Sequence, residues 1–185
     1  MLEPKQKPKT RSKKRRKITV KRVSSAAELS RAYAIRIRVF VKEQNVPREV
    51  ELDPDDGRAI HFLAMDCVRA IGTARVVLHG HAAKIGRMAV LKSWRRKGVG
   101  AKLLTRAIAH AREMKAHKIY LHAQVAVSGF YQRMNFHACG PVFDEAGIAH
   151  RKMIWRQPPT NVRRGNAKKG EGIVLQGSQN ERCSG

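Results

Sequence analysis

With 185 residues, 42% of them apolar, the chain is long enough for one globular core with extensions and too short for several. Its 39 lysines and arginines against 14 aspartates and glutamates give a net charge of +25, which favours anionic partners (cofactor phosphates, nucleic acid or an anionic membrane surface) without choosing among them. No apolar run reaches the length of a membrane span, Met1 to Lys17 lacks the apolar centre of a signal peptide, and three cysteines without C-x-x-C spacing read as free thiols in a reducing compartment; a cytoplasmic protein is expected.

The charge divides into three segments. Residues 1–17 carry nine basic and one acidic residue and are too polar and too like-charged to collapse, so a disordered basic tail is expected. Its run Lys13-Lys14-Arg15-Arg16-Lys17 suits a solubilising role, and also contact with nucleic acid or a ribosome. Residues 157–185, beginning just before Pro158-Pro159 and rich in Gly, Asn, Gln and Lys, read as a second disordered tail. Residues 18–156 form the expected domain, with 25 basic and 11 acidic residues.

Ile18 to Val23 alternates apolar and charged residues as an edge strand does. Ser25-Ala26-Ala27-Glu28 is a capping box that opens a helix carrying Leu29, Ala32 and Ile35 toward Phe40. Pro47 and Asp53-Pro54-Asp55-Asp56-Gly57 then mark a loop. Glu43, Glu49, Glu51, Asp53, Asp55 and Asp56 place six of the domain's eleven carboxylates within fourteen positions. Such a segment fits a cationic amine, and equally a solvated loop that balances nearby arginines.

His61 to Cys67 and Ala70 to Leu78 are β-rich, and His79-Gly80-His81 turns the chain into a strand over Ala82 to Leu91, completing an antiparallel meander. His79 and His81 lack a third ligand at suitable spacing, so they read as a hairpin tip and no metal is expected.

The most informative stretch is Lys84 to Met114: a strand, a basic turn from Ser93 to Gly100, and a helix whose apolar face is Leu103, Leu104, Ala107, Ile108, Ala111 and Met114. Gly98 and Gly100 thus fall at a helix N-terminus, where unpaired N–H groups and the macrodipole attract anions, with Arg95, Arg96 and Lys97 just ahead. That pattern suits a di- or polyphosphate; it is also compatible with a solvated basic turn. It is not a P-loop, because Ala101-Lys102-Leu103 follows Gly100, nor G-x-G-x-x-G, because Leu103 stands where the third glycine would be. After the helix come a strand over Lys118 to Ala123, a helix over Val125 to Asn135, and last strands over Phe136 to Cys139 and Arg151 to Trp155, with Gly140-Pro141 and Gly147 interrupting.

Arg95-x-x-Gly98-x-Gly100, preceded by Arg87-Met88-Ala89-Val90 and followed by Leu103-Leu104, resembles the acetyl-CoA-binding motif of the GCN5-related N-acetyltransferases (GNAT). Phe130-Tyr131-Gln132-Arg133-Met134-Asn135-Phe136 is similar to that family's later helix. Arg38-Val39-Phe40-Val41-x-Glu43-Gln44, Glu51-x-Asp53-x-x-Asp56 with His61, and Phe143-x-Glu145-Ala146-Gly147-Ile148-x-His150 together resemble its ElaA-like branch. The resemblance spans roughly Ile18 to Trp155.

It implies an α/β fold: a mixed, mainly antiparallel twisted sheet with helices on both faces, splayed at the acetyl-CoA-binding strand. It implies transfer of an acetyl group from acetyl-CoA to an amine, on a small molecule or a protein, by direct attack. The amides of Arg96, Lys97, Gly98, Val99, Gly100 and Ala101 would hold the pyrophosphate, supported by the charges of Arg95 and Lys97. Main-chain groups of Met88, Ala89 and Val90 would receive the pantetheine arm and polarise the thioester. Tyr131 would be the general acid, and Gln124 and Ser128 would touch the CoA arm. Glu51 and Asp53 are the first candidates for the base, with His61 and His122 behind them, and His150 is an acceptor-site residue without a derived role. Arg96 stands where many members have glycine, which is tolerated if its φ stays negative. Two other readings of the same scaffold are a nucleic-acid- or ribosome-associated binding protein and a CoA sensor without transfer.

Overall fold

The computed structural model describes residues 17–158; the expected tails lie outside the described residues except for Lys17, Gln157 and Pro158. β1 (Ile18–Arg22) is the edge strand. Ser25 caps α1 (Ala26–Arg36) by accepting the Glu28 N–H at 3.3 Å. The Glu28 carboxylate reaches back to the Ser24 N–H at 2.9 Å, one residue further out than a reciprocal capping box. α1 then widens into a π-helical stretch, Ile37–Glu43. The altered period there, and the fully buried Arg36, explain why the apolar stripe of this helix fades after Ile35 in the sequence.

A short helix, α2 (Arg48–Glu51), and a 3₁₀ turn (Pro54–Gly57) fold the acidic segment before β2 (Ile60–Asp66), β3 (Arg69–His79) and β4 (Ala82–Val90). A 3₁₀ turn (Lys92–Trp94) leads to α3 (Val99–Glu113), and β5 (Lys118–Gln124) follows. The helix expected over Val125 to Asn135 is a 3₁₀ turn (Val125–Val127) and the five-residue α4 (Ser128–Gln132). Ser128 Oγ donates to the Val125 carbonyl at 2.9 Å, which closes the tighter turn, and Asn135 at φ 63 ends the segment.

The last strands are longer than expected: β6 (Phe136–Glu145) and β7 (Ile148–Trp155). Gly140-Pro141 sits at a register shift between Ala138 and Val142 on an edge strand, where a missing N–H breaks no ladder. Ala146 and Gly147 make the hairpin turn with φ of 56 and 76.

The seven strands run in the order β1-β2-β3-β4-β5-β7-β6, antiparallel except for β4 with β5. This is the expected mixed, mainly antiparallel sheet, with α1 on one face and α3 on the other. Leu103, Leu104, Ala107 and Ala111 of α3 bury against Ile71, Ile85, Ile119 and Leu121, while Ala32, Ile35 and Val39 pack on Leu63, Met65 and Ala89 on the opposite side. Gly72 permits the close seat of α3. A Cβ there would lie 3.1 Å from the Ala89 carbonyl and from Leu103 Cδ1, and 3.2 Å from Val99 Cγ1.

The parallel pair β4–β5 is bonded only from Ala82–Lys84 to Lys118–Tyr120; beyond it the strands part. The register of β3 on β4 shifts opposite this opening, between Thr73 and Arg75, and Arg87 takes φ 49. A bulge at Arg87 therefore bends β4 away from β5. Cys67 is a free, exposed thiol at the β2–β3 turn, whereas Cys139 is disulfide-bonded, contrary to the expectation of three free thiols. Among the described residues no helix is long and apolar enough to cross a membrane.

Candidate active site

The V between β4 and β5 holds a cleft of about 390 Å³. One wall is Lys84 to Val90 of β4; the other is Leu121, His122 and Gln124 of β5 with Val127 and Tyr131. Phe40 from the π-helical stretch and Gln44 just after it, Asp53 and Asp55 from the acidic loop, and Glu145 and His150 from the last hairpin complete it. Met88, Ala89 and Val90 thus lie where the splay leaves β4 without a neighbouring strand on the β5 side.

Tyr131 on α4 packs edge-on to Phe130 and Phe136, with its hydroxyl 3.9 Å from Met88 Sδ across the V. Burial pushes its phenol up to about 12, so it stays protonated and able to donate throughout the neutral range. Gln124 Nε2 donates to Gln44 Oε1 at 2.8 Å, bridging the cleft, while Ser128 is half-buried and does not line it.

The basic turn leads into α3 at Gly98, whose φ of 77 requires glycine. No side chain caps α3, in contrast to α1, so the first amides of the helix, those of Val99, Gly100 and Ala101, are open to an outside acceptor. Arg96 has φ 59, which overturns the expectation of a negative φ: the left-handed position is kept without the glycine that suits it. Lys97 Nζ lies 5.2 Å over the Trp94 ring, and Arg95 bonds Glu43 Oε2 at 2.5 Å and the Val90 carbonyl at 2.9 Å.

The acidic segment faces arginines nearly throughout. Arg36 Nε meets Glu51 Oε1 at 2.5 Å and its Nη1 meets Asp56 Oδ1 at 2.6 Å. Arg75 Nη1 bonds Asp53 at 2.7 Å and Asp56 at 2.8 Å, Arg87 Nη2 bonds Asp53 Oδ2 at 2.6 Å, and Arg58 takes Asp55 at 2.5 Å. The segment balances nearby arginines, but as a partly buried loop and not a solvated one, with Asp53 and Asp55 on the cleft wall. Glu51 is 1% exposed and burial raises its carboxyl. Burial also works against the charge of Asp53, but Arg75 and Arg87 outweigh it and hold the group at about 2. His61 is buried, its Nε2 3.2 Å from the Asp56 carbonyl, and burial lowers its ordinary value.

At the other end of the cleft, His122 Nδ1 lies 3.2 Å from Glu145 Oε2. Phe143 stands edge-on to the His122 ring at 4.9 Å and stacks with His150, whose Nδ1 is 2.8 Å from the Ile148 carbonyl. The bond from His122 holds Glu145 at about 2 against its partial burial, helped by His150 and Lys84.

The structure thus brings Tyr131, Met88, Ala89, Val90, Gln124, Arg95 and Asp53 to one cleft and puts Glu51 behind it, among arginines. Sequence reasoning did not find Arg36, Arg75 and Arg87 as partners of the acidic loop, since cross-strand pairing leaves no local signal. The pairing of His122 with Glu145 had one available clue: β5 alternates, so His122 shares a face with Gln124. Among the described residues no three His, Cys, Asp or Glu gather to hold a metal.

The sheet is thus splayed at a bulged strand, with an uncapped glycine-started helix beside the splay and a tyrosine across the gap. Residues 17–157 match the family model described as an acetyltransferase (GNAT) domain, and the chain belongs to that family. YjcF of Bacillus subtilis, an uncharacterized N-acetyltransferase, is 33% identical over 128 residues, 69% of this chain and 91% of that one. ElaA of Escherichia coli is 30% identical over 132 residues, 68% of this chain and 86% of its own. The ElaA crystal structure aligns with a TM-score of 0.68 over 76% of this chain and 100% of that one, at 26% identity. A GNAT acetyltransferase from Elizabethkingia anophelis with acetyl-CoA bound shares the fold, with a TM-score of 0.57 at 19% identity over 74% of this chain and 94% of that one.

Proposed function

We propose that the protein transfers an acetyl group from acetyl-CoA to a primary amine by direct attack, with both substrates in the cleft. The observation that carries this reading is the cleft that has the unpaired main chain of Met88 to Val90 on one wall and the half-buried Tyr131 on the other.

The residues present fit acetyl-CoA. The open amides of Val99, Gly100 and Ala101 suit its pyrophosphate, with Arg96 and Lys97 adjacent. The exposed main chain of β4 suits the pantetheine arm as an added strand would, and an N–H there can polarise the thioester carbonyl. Bound acetyl-CoA supplies an activated acyl carbon; the amine nitrogen bonds to it as the C–S bond breaks, and the leaving thiolate takes a proton from Tyr131 Oη. The amine must lose its own proton to a second group.

Glu51 and Asp53 support the site in another way under this reading. Both are committed to arginines, and the hydrogen bond of Arg87 Nη2 to Asp53, with the 3.5 Å ion pair of Arg87 and Glu51, fixes the acidic loop against the bend of β4.

The test is CoA thiol release by the full-length protein with acetyl-CoA and a panel of primary amines, with products read by mass. Amine-dependent thiol release matched by acetylated product is expected. Bound acetyl-CoA with no amine-dependent release anywhere in the panel would overturn the reading.

A further inference from the structure

An alkylamine has an ordinary pKa of about 10 and reaches a neutral site mainly protonated, so transfer needs a proton acceptor that faces the cleft. The anionic candidates are already engaged. Asp53 is held by Arg75 and Arg87, Asp55 by Arg58, and Glu43 by Arg95. Glu51, Asp56 and His61 are buried in the arginine cluster and do not line the cleft. Two imidazoles remain on the cleft wall, His122 and His150.

Their hydrogen bonds distinguish them. A carbonyl only accepts, so His150 Nδ1 donates to Ile148 and its ring is tied to its own turn. A carboxylate likewise accepts, so His122 Nδ1 donates to Glu145 Oε2 and Nε2 keeps its lone pair. His122 alone has a carboxylate behind it to stabilise the imidazolium that forms when Nε2 takes a proton. Phe143 fixes the plane of its ring from the side.

We propose that His122 is the catalytic proton acceptor and that Glu145 is its positioning residue. This rests on the transferase reading above. The ammonium proton passes to His122 Nε2, Glu145 stays ionised, and the nitrogen lone pair so freed forms the new C–N bond; the nitrogen's second proton goes to the Tyr131 oxygen, restoring the phenol that protonated the leaving thiolate. His122 is bordered by Glu145 from β6, His150 and its cross-strand neighbour Lys152 from β7, Lys84 from β4 and Tyr120 on its own strand. Glu145 is thus the carboxylate among these neighbours, set against the cations Lys84 and Lys152.

The test uses full-length wild type, His122→Gln and Glu145→Gln, with n-butylamine and the best alkylamine of the panel as acceptors. Acetyl-CoA affinity should change less than about threefold in both variants, since neither residue lies on the cofactor wall. At pH 7, kcat/KM for His122→Gln should fall by about 10²–10⁴-fold, with the deficit shrinking toward pH 10 as solvent deprotonates the amine. Glu145→Gln should keep part of the activity, with kcat lowered about tenfold and the amine KM little changed, because Nδ1 loses the carboxylate that orients the ring. A His122→Gln deficit equal at all pH values, or a Glu145→Gln kcat equal to that of wild type, would overturn the proposal while leaving the transferase reading standing. Should His122→Gln lose acetyl-CoA binding, the kcat of the near-isosteric Glu145→Gln decides the matter. A wild type that binds acetyl-CoA and acetylates no amine would instead remove the reading on which it rests.

Discussion

Arg87 Nη2 lies 2.6 Å from Asp53 Oδ2 and 2.9 Å from the Val50 carbonyl, so the residue at which β4 bends is also the one that grips the acidic loop. Arg87 holds φ 49, a left-handed conformation that a side chain other than glycine adopts at a cost of about 1–2 kcal/mol. The ion pair and the bulge are therefore one device. The strain sits where the cleft opens, and the loop's carboxylates keep it there.

Replacing Asp53 by Asn should show this in the pH dependence of stability. The folded value of about 2 is below the ordinary carboxylate value, so the ionised group stabilises the fold above pH 4 and that contribution fades as pH falls toward 2. Asp53→Asn should be less stable than wild type by roughly 1–2 kcal/mol at pH 7, a figure discounted for its partial exposure, with the two converging near pH 2. Denaturant melts across that range give the comparison, and a constant gap would count against the pairing.

The deeper pair tests the opposite regime. Arg36 is fully buried and Asp56 is 9% exposed, so Asp56→Asn leaves Arg36 and Arg75 short of a carboxylate in a place water does not reach. A loss of about 3–5 kcal/mol is expected by chemical denaturation. A loss below about 1 kcal/mol would mean that the cluster is solvated.

Arg96→Gly should stabilise the protein or leave it unchanged, since the φ of 59 suits glycine and no hydrogen bond of the Arg96 side chain is lost. The gain is limited to about 1 kcal/mol by the greater freedom of glycine in the unfolded chain. Thermal melts read the sign, and destabilisation by a similar amount would contradict it.

Tyr131→Phe should lower kcat by about 10²–10³-fold while acetyl-CoA affinity changes little, because the ring and its packing on Phe130 and Phe136 are retained. Since burial holds the phenol near 12, wild type should show no alkaline loss of activity from this group below about pH 11. An alkaline limb near pH 9 that disappears in Tyr131→Phe would place the phenol in a wetter site.

The meander, the central helix and the basic turn were legible because they rest on local signals: the period-2 runs of β2 to β4, the apolar face of α3, and the glycines Gly98 and Gly100 at its N-terminus. α4 was misjudged in length because a single apolar turn looks the same in sequence whether or not a second follows. The extent of β6 was hidden by Gly140-Pro141, which reads as a break and is an edge-strand bulge. The acidic loop was legible as a charge cluster. Its partners were not, because Arg36, Arg75 and Arg87 reach it from three separate elements. The φ of Arg96 shows that a backbone conformation can outlast the glycine that would mark it.

Calorimetric titration of acetyl-CoA into the full chain at moderate salt, with ATP and pyrophosphate as controls against loose anion binding, bears most directly on the proposed function. Saturable one-to-one binding, tighter than either control and lost in the double variant Gly98→Val, Gly100→Val, is expected from the uncapped start of α3 and the open strand beside it. Acetyl-CoA binding no tighter than ATP would contradict the assignment of this cleft to an acyl-CoA donor.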